Sequence, residues 1–529
     1  MNSTVKRRMN LIPSMKNRVL SVCLLLLVGG CASLPPNTNT PTYAFQDTAD
    51  TRAGSRYEEL RKSHTGKSGF FLLSNGLDAF TARAILAQGA DRSIDVQYYM
   101  IHNDLTGILF GDQLLKAADR GVRIRLLIDD MDLEKRDKGL STLAAHSNID
   151  LRIFNPFSRE MIRAPQFLLR FGSVTRRMHN KSFTVDNQVT IVGGRNIGDE
   201  YFDADPDFGF ADLDILAIGS VVKEVSDSFD EYWNSSLAYP IAVLRPDLTE
   251  KDDLEEGRRR VAEYLGQDSV AEYLQLLLNS RLAETIRNNE VQWYWGEASV
   301  MADNPGKLKS YDLNHAYTLS SKITPFFEDL DKEFLIFSPY FVPGKKGTKF
   351  LSDLSKSGVH VRIFTNSLAS TDVGIVHAGY AKYRTTLLRA GVELYEMDKT
   401  LNRKERKAKK GDSGSSKASL HAKSFVFDRE QVFIGSLNLD PRSIVENTEI
   451  GIMVTSKEVA KILAGKFDMM IEKIAFRLEL HTDEEGIEFI FWHGLEEGEE
   501  RVWKADPHTS FWRRFALGLV SLLPVESQL

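Results

Sequence analysis

The feature that most constrains this chain is a block that occurs twice. His179-x-Lys181-x4-Asp186 is followed by Gly193-Gly194-Arg195-Asn196, and His421-x-Lys423-x4-Asp428 by Gly435-Ser436-Leu437-Asn438. An imidazole, an ammonium and a carboxamide recur at identical offsets, so the chain carries two matched half-sites. Two imidazoles with two ammonium groups suit attack on a phosphodiester without a metal. One imidazole can act as nucleophile and the other as general acid, while the cations meet the charge gathering on oxygen.

Within each block the residue types predict a β-hairpin: Ser182–Val185 and Val189–Val192 flank a turn at Asp186-Asn187-Gln188. A turn centred on Asn187-Gln188 sets Asn196 opposite His179 and Gly194 opposite Lys181. The same arithmetic pairs His421 with Asn438 and Lys423 with Ser436, at about 5 Å. Residues two apart on a strand share a face, so each His projects with its Lys. Asp186 and Asp428 complete the catalytic motifs but fall at the hairpin corners on the other face, in a supporting role. An attacking histidine needs its second ring nitrogen held by an acceptor. Glu449 is the candidate acceptor downstream of the second block; in the first half it is Asp212, whose face Asp214 shares. Glu against Asp implies two differently tuned histidines.

The halves also match outside the blocks. Gly121–Ile128 parallels Gly358–Phe364, and each follows a helix-like stretch and a strand, Ser93–Tyr99 or Phe334–Ser338. Strand, helix, buried strand is a βαβ signature, so an α/β fold is expected, with a mixed, largely parallel sheet flanked by helices in each half. The chain divides into segments 1–30, 31–69 (a tether and linker), 70–240 (first domain), 241–305 (a charged, mostly helical connection), 306–475 (second domain) and 476–529 (a hairpin and an amphipathic helix).

The paired His-x-Lys-x4-Asp motifs resemble the phospholipase D superfamily. Asp95–Tyr99, Arg177–Asp186, Val192–Gly198, Val376–Tyr380, Asp440–Ser443 and Ser510–Arg514 resemble bacterial cardiolipin synthases more narrowly, over about residues 70 to 529. The resemblance implies two phospholipase D-like domains related by a pseudo-twofold repeat around one active site. It also implies a phosphatidyl group carried on histidine and passed to an alcohol. Anionic and zwitterionic phospholipids are then the expected partners. If the acceptor is the hydroxyl of phosphatidylglycerol the product is cardiolipin; if it is water the enzyme is a phospholipase D. A metal-independent nuclease and a non-catalytic lipid-binding lipoprotein are the remaining readings.

Lys6, Arg7, Arg8, Lys16 and Arg18 precede an apolar run, Val19–Val28, that is too short to span a bilayer and is followed by Gly29-Gly30-Cys31. The pattern resembles a lipoprotein signal with lipid on Cys31. Ala32 after the cysteine favours the outer membrane, facing the periplasm, and Ser33–Thr42 reads as the tether. Of the two cysteines Cys23 lies in the segment to be removed, so neither an internal disulfide nor a thiolate cluster is expected. No His-Glu-x-x-His spacing occurs, and no cofactor is expected.

The net charge is -6, with five of the basic residues in the leader, so a nucleic-acid partner is not expected. Two basic stretches nevertheless precede the motifs. One interleaves Arg159, Arg163, Arg170, Arg176 and Arg177 with apolar residues; the other, 403–417, surrounds a Gly/Ser run. At about 1 kcal/mol per basic residue near an anionic bilayer, either could hold the cleft against a membrane surface. Phe511, Trp512, Phe515, Leu519, Leu522 and Leu523, closed by Pro524, fit an interfacial helix or one packed on the domain surface.

Overall fold

The computed structural model describes residues 34–205, 207–248, 252–288, 290–309, 318–398, 417–496 and 498–520. The leader, Cys31, the basic run 403–416 and Leu522, Leu523 and Pro524 lie outside the described residues. The first half contains β1 (Ser68–Leu73), β2 (Ser93–Tyr98), β3 (Arg123–Asp129), β4 (Ile149–Phe154), β5 (Ser182–Val185), β6 (Val189–Gly193), β7 (Phe208–Ala211), β8 (Asp214–Gly219) and β9 (Ala238–Pro240). The second contains β10 (Tyr294–Ala302), β11 (Glu333–Phe337), β12 (His360–Asn366), β13 (Glu393–Met397), β14 (Lys417–Leu420), β15 (Lys423–Phe427), β16 (Gln431–Gly435) and β17 (Ile450–Thr455). β18 (Ala475–Thr482), β19 (Glu488–Glu496) and β20 (Glu499–Trp503) follow.

The α/β repeat is plain in the pairing. β2, β3 and β4 run parallel, as do β11, β12 and β13, and the motif hairpins β5–β6 and β15–β16 join them antiparallel through β2 and β11. Parallel strands are buried on both faces, which is why β2 is buried throughout and β11 nearly so. Helices Gly76–Gly89 and Leu105–Asp119 cover one half, and Gly344–Lys356 and Lys457–Ile474 the other. Between the halves, Val192, Ile215 and Ala217 pack with Val426, Val432, Ile434, Ile450 and Ile452 in one buried cluster. At about 1.5–3 kcal/mol per buried branched side chain, this interface contributes on the scale of a domain core.

Several expectations need correction. The hairpin register is one residue off: Ser182 pairs with Val192 and Lys423 with Gly435, rather than with Ser436. The cause is the corner, where Asp186 and Asn187, and again Asp428 and Arg429, both adopt positive φ, closing a three-residue loop. Neither Asn196 nor Asn438 belongs to the ladder, so the predicted pairs His179–Asn196 and His421–Asn438 do not form. The connection 241–305 is helical only to Arg287. β10 then pairs with β1 through Tyr294–Gly296 and with β17 through Glu297–Ala302, running the two half-sheets into one. Residues 34–42 are no tether. Arg152 and Arg125 donate to the Thr40 and Thr42 carbonyls, Asn37 to those of Ser236 and Ala238, and Trp233 to Thr42 Oγ1. At the carboxyl end the expected hairpin has a third strand, β20.

Candidate active site

Each motif begins where the chain leaves its own half and pairs with the other. Met178 bridges Thr448, and the His179 amide donates to the Thr448 carbonyl at 2.9 Å. β14 runs parallel to β7, and the His421 amide donates to the Ala211 carbonyl at 2.8 Å. Thr448 and Ala211 immediately precede the two candidate acids, so the acids cross over. Glu449 Oε2 lies 2.8 Å from His179 Nδ1, and Asp212 Oδ2 lies 2.6 Å from His421 Nδ1. Neither half orients its own histidine. With Nδ1 committed, Nε2 is the nitrogen each buried ring has for chemistry.

The lysines are buried beside them. Lys181 Nζ donates to the His179 carbonyl at 2.5 Å and lies 5.4 Å from the Tyr99 ring centre. Lys423 Nζ donates to the His421 carbonyl and lies 2.8 Å from His421 Nδ1. Burial pushes Lys181 well below the ordinary lysine range and Lys423 down to about 8. Burial likewise lowers both histidines, His421 to about 4, and Lys423 adds to the lowering of His179 and Lys181 in the other half. Asp212 and Glu449 oppose the shift in both lysines. The two half-sites therefore act on one another electrostatically. Two buried lysine side chains beside the imidazoles favour an anion such as a phosphodiester.

The acids differ. Burial raises Glu449 to about 7, although Lys181 and the Ser436 hydroxyl, which donates to Oε2 at 2.5 Å, pull it down. Asp212 is also raised by burial, but His421, Lys423 and Arg195 outweigh that and hold it below the usual carboxylate range. Gly194 and Ser436 occupy matching motif positions. A Cβ at Gly194 would stand 2.3 Å from Asp212 Oδ1, so glycine makes room for this carboxylate where serine donates to the other.

Asp186 and Asp428 stand at the far ends of β5 and β15 from the imidazoles. Asp186 accepts from the amides of Asp91, Arg92 and Ser93 at 3.0, 2.7 and 2.8 Å; Asp428 accepts from those of Asp331, Lys332 and Glu333 at 3.0, 2.8 and 2.8 Å. Through these bonds they fasten the starts of β2 and β11, at the hairpin corners where a supporting role is expected, and away from the imidazoles. Asn196 is also engaged, donating to Tyr201 Oη at 3.0 Å and accepting from the Met100 amide at 3.3 Å. The buried Asn438 Oδ1 has no hydrogen-bond partner among the described residues. Asp214, buried with Arg83 at 2.9 Å, is structural.

Sequence reasoning missed the aromatic walls. Tyr99 meets His179 edge-on at 5.0 Å, and Tyr201 and Phe210 lie 5.1 and 4.6 Å from His421. It also missed Asp440, a buried carboxyl raised to about 7 mainly by burial. Tyr99 and Asp440 sit in stretches that carry the family likeness, and a polar residue just past a buried strand was the available signal.

The arginines upstream of the first motif face inward. Arg159 pairs with Asp130 and Asp137, Arg163 with Asp130, Arg177 with Asp129 and Arg176 with Glu446. The large apolar residues Ile162, Phe167, Leu169 and Phe171 of this stretch are exposed.

The family described as cardiolipin synthase, PLD-like domain, matches residues 85–233 and 328–471. Cardiolipin synthase C of Escherichia coli K12 is 39% identical over 90% of this chain and 99% of its own. An uncharacterized protein of Helicobacter pylori J99 is 33% identical over 96% and 98%. Among solved structures, the phosphatidylserine synthase of Haemophilus influenzae superposes with a TM-score of 0.54 at 13% identity, covering 90% of this chain and all of that one, a likeness of fold.

Proposed function

The chain belongs to the phospholipase D-like family of cardiolipin synthases, and from that premise we propose that it transfers a phosphatidyl group through a phosphohistidine to the hydroxyl of phosphatidylglycerol. The crossed histidine–acid pairs carry the reading. Nε2 of one histidine attacks the phosphorus of a glycerophospholipid, and the departing headgroup oxygen takes a proton from the other imidazolium. The second histidine, now neutral, removes the proton from the incoming hydroxyl, whose oxygen forms the new phosphoester as the first phosphorus–nitrogen bond breaks. His179, Lys181, His421 and Lys423 do the chemistry. Glu449 and Asp212 set the imidazole tautomers, Ser436 and Gly194 seat those acids, and Asn438, with its open carboxamide oxygen, helps orient the acceptor hydroxyl.

The same reading places the enzyme on a bilayer. Among the described residues no helix is long and apolar enough to cross a membrane. Contact comes instead from Ile162, Phe167, Leu169 and Phe171, and from Phe511, Trp512, Phe515 and Leu519 on helix Phe511–Val520, all of which are exposed. A lipid on Cys31 would tether the body closely, because the chain is latched from residue 34 region onward and three residues reach only about 10 Å. Lipidation, the periplasmic side and the outer membrane rest on the leader pattern, and mass spectrometry of the mature amino terminus tests them.

Purified enzyme given phosphatidylglycerol vesicles, with and without phosphatidylethanolamine, should form cardiolipin. Phosphatidic acid as the product would make it a hydrolase, and DNA cleavage without lipid turnover would overturn the proposal.

A further inference from the structure

The ribbon β18–β19–β20 begins beyond the stretches that match the family and carries a second cluster of ligating side chains. Glu479 and His481 stand two apart on β18, and His493 on β19 is paired with Arg477, so the three share one face. The other face buries Leu478 and Trp492 in the core of the second half, which fixes the backbone beneath the cluster. Glu479 Oε1 lies 3.1 Å from His481 Nε2, and Oε2 lies 3.2 Å from His493 Nε2. His493 Nε2 is closed off from water and has no hydrogen bond of acceptable geometry among the described residues, although it faces that carboxylate. His481 is steadied by Phe491 at 4.7 Å between ring centres.

We propose that Glu479, His481 and His493 form a zinc site. Ligand atoms 2.0–2.1 Å from a tetrahedral ion stand about 3.3 Å apart; the two Glu–His separations are close to that, and the ligand atoms of all three residues lie within 4.8 Å of one another. Two imidazoles with one carboxylate suit zinc far better than the oxygen-seeking magnesium or calcium. The fourth position is open to water. Arg477, 3.0 Å from Glu479 Oε2, competes for the carboxylate, but its side chain is largely exposed and can turn into solvent as the ion enters. A bound ion would staple β18 to β19, and its role is structural because the cluster includes none of the groups assigned to the reaction.

The full-length protein, stripped with EDTA and freed of chelator, is titrated with zinc chloride by calorimetry, with metal content and melting temperature read in parallel. The expected result is zinc uptake and a raised melting temperature, both lost in H481Q/H493Q while phosphatidyl transfer continues, and both kept in H102Q, which removes the histidine of a half-buried cluster with Asp104 and Glu200. Absence of uptake, or uptake unchanged in H481Q/H493Q, would overturn the proposal. If that variant fails to fold, E479Q replaces it: zinc binding weakened at least tenfold supports the site, and unchanged affinity refutes it.

Discussion

Replacing Asp212 by Asn removes one negative charge and almost no volume, 2.6 Å from the ring of His421 in a fully buried setting. The charge matters when His421 becomes an imidazolium, either after giving up its role as base or before acting as acid. With charge centres about 4 Å apart and an effective dielectric of about 20, the lost attraction is about 4 kcal/mol. At about 1.4 kcal/mol per decade, that is a fall in kcat of about 10³. The carboxamide can also present its NH₂ to Nδ1 and favour the wrong tautomer, which deepens the loss. The assay is single-turnover transfer from phosphatidylglycerol vesicles, with circular dichroism to show an intact fold. Histidine-labelled protein adds the decisive readout, because D212N should move the imidazole ¹⁵N signals of His421 and leave those of His179 in place. A loss below about tenfold, or shifts at His179 instead, would refute the crossed pairing.

Glu449→Gln should give the opposite balance of stability and activity. Burial raises the folded carboxyl to about 7 from an ordinary 4.5, so the group favours folding at low pH and that contribution is lost as pH rises from about 4.5 to about 7. At pH 8 the variant should therefore melt higher than the parent, by about 1–3 kcal/mol at 1.36 kcal/mol per pKa unit with a discount for the lost His179 pairing, yet turn over far more slowly; equal or lower stability at pH 8 would count against a strained carboxylate. Asp186→Ala removes the acceptor of three amides and should cost about 3 kcal/mol or more in denaturant unfolding. Activity per folded molecule should persist, and selective loss of kcat at full stability would return Asp186 to the reaction. Gly194→Ala forces Asp212 away from His421 and should lower kcat at least tenfold with a small change in melting temperature; full activity would show that the carboxylate has room to move.

The two-half α/β architecture was legible because the repeated strand–helix–strand pattern and the doubled motif are local signals. The choice of Glu449 and Asp212 as imidazole partners was legible too, since a buried histidine demands an acceptor. Their exchange between halves was not, because it arises from β14 pairing with β7 and Met178 with Thr448, contacts between segments more than two hundred residues apart. The register failed by one residue because two consecutive positive-φ residues were not foreseen at Asp186-Asn187. The inward arginines failed for a related reason: Asp129, Asp130 and Asp137, which neutralise them, lie on a different element. The interleaved basic stretch suggested charge facing a membrane, but those arginines are paired inward.

The central claim is that two imidazoles from opposite halves serve one phosphorus. A crystal structure with vanadate bound tests it directly. One histidine Nε2 should bond to vanadium, and the other should lie within hydrogen-bonding distance of the oxygen on the far side, with Lys181 and Lys423 on the equatorial oxygens. Vanadate held by one histidine alone, with the second ring out of reach, would contradict the account.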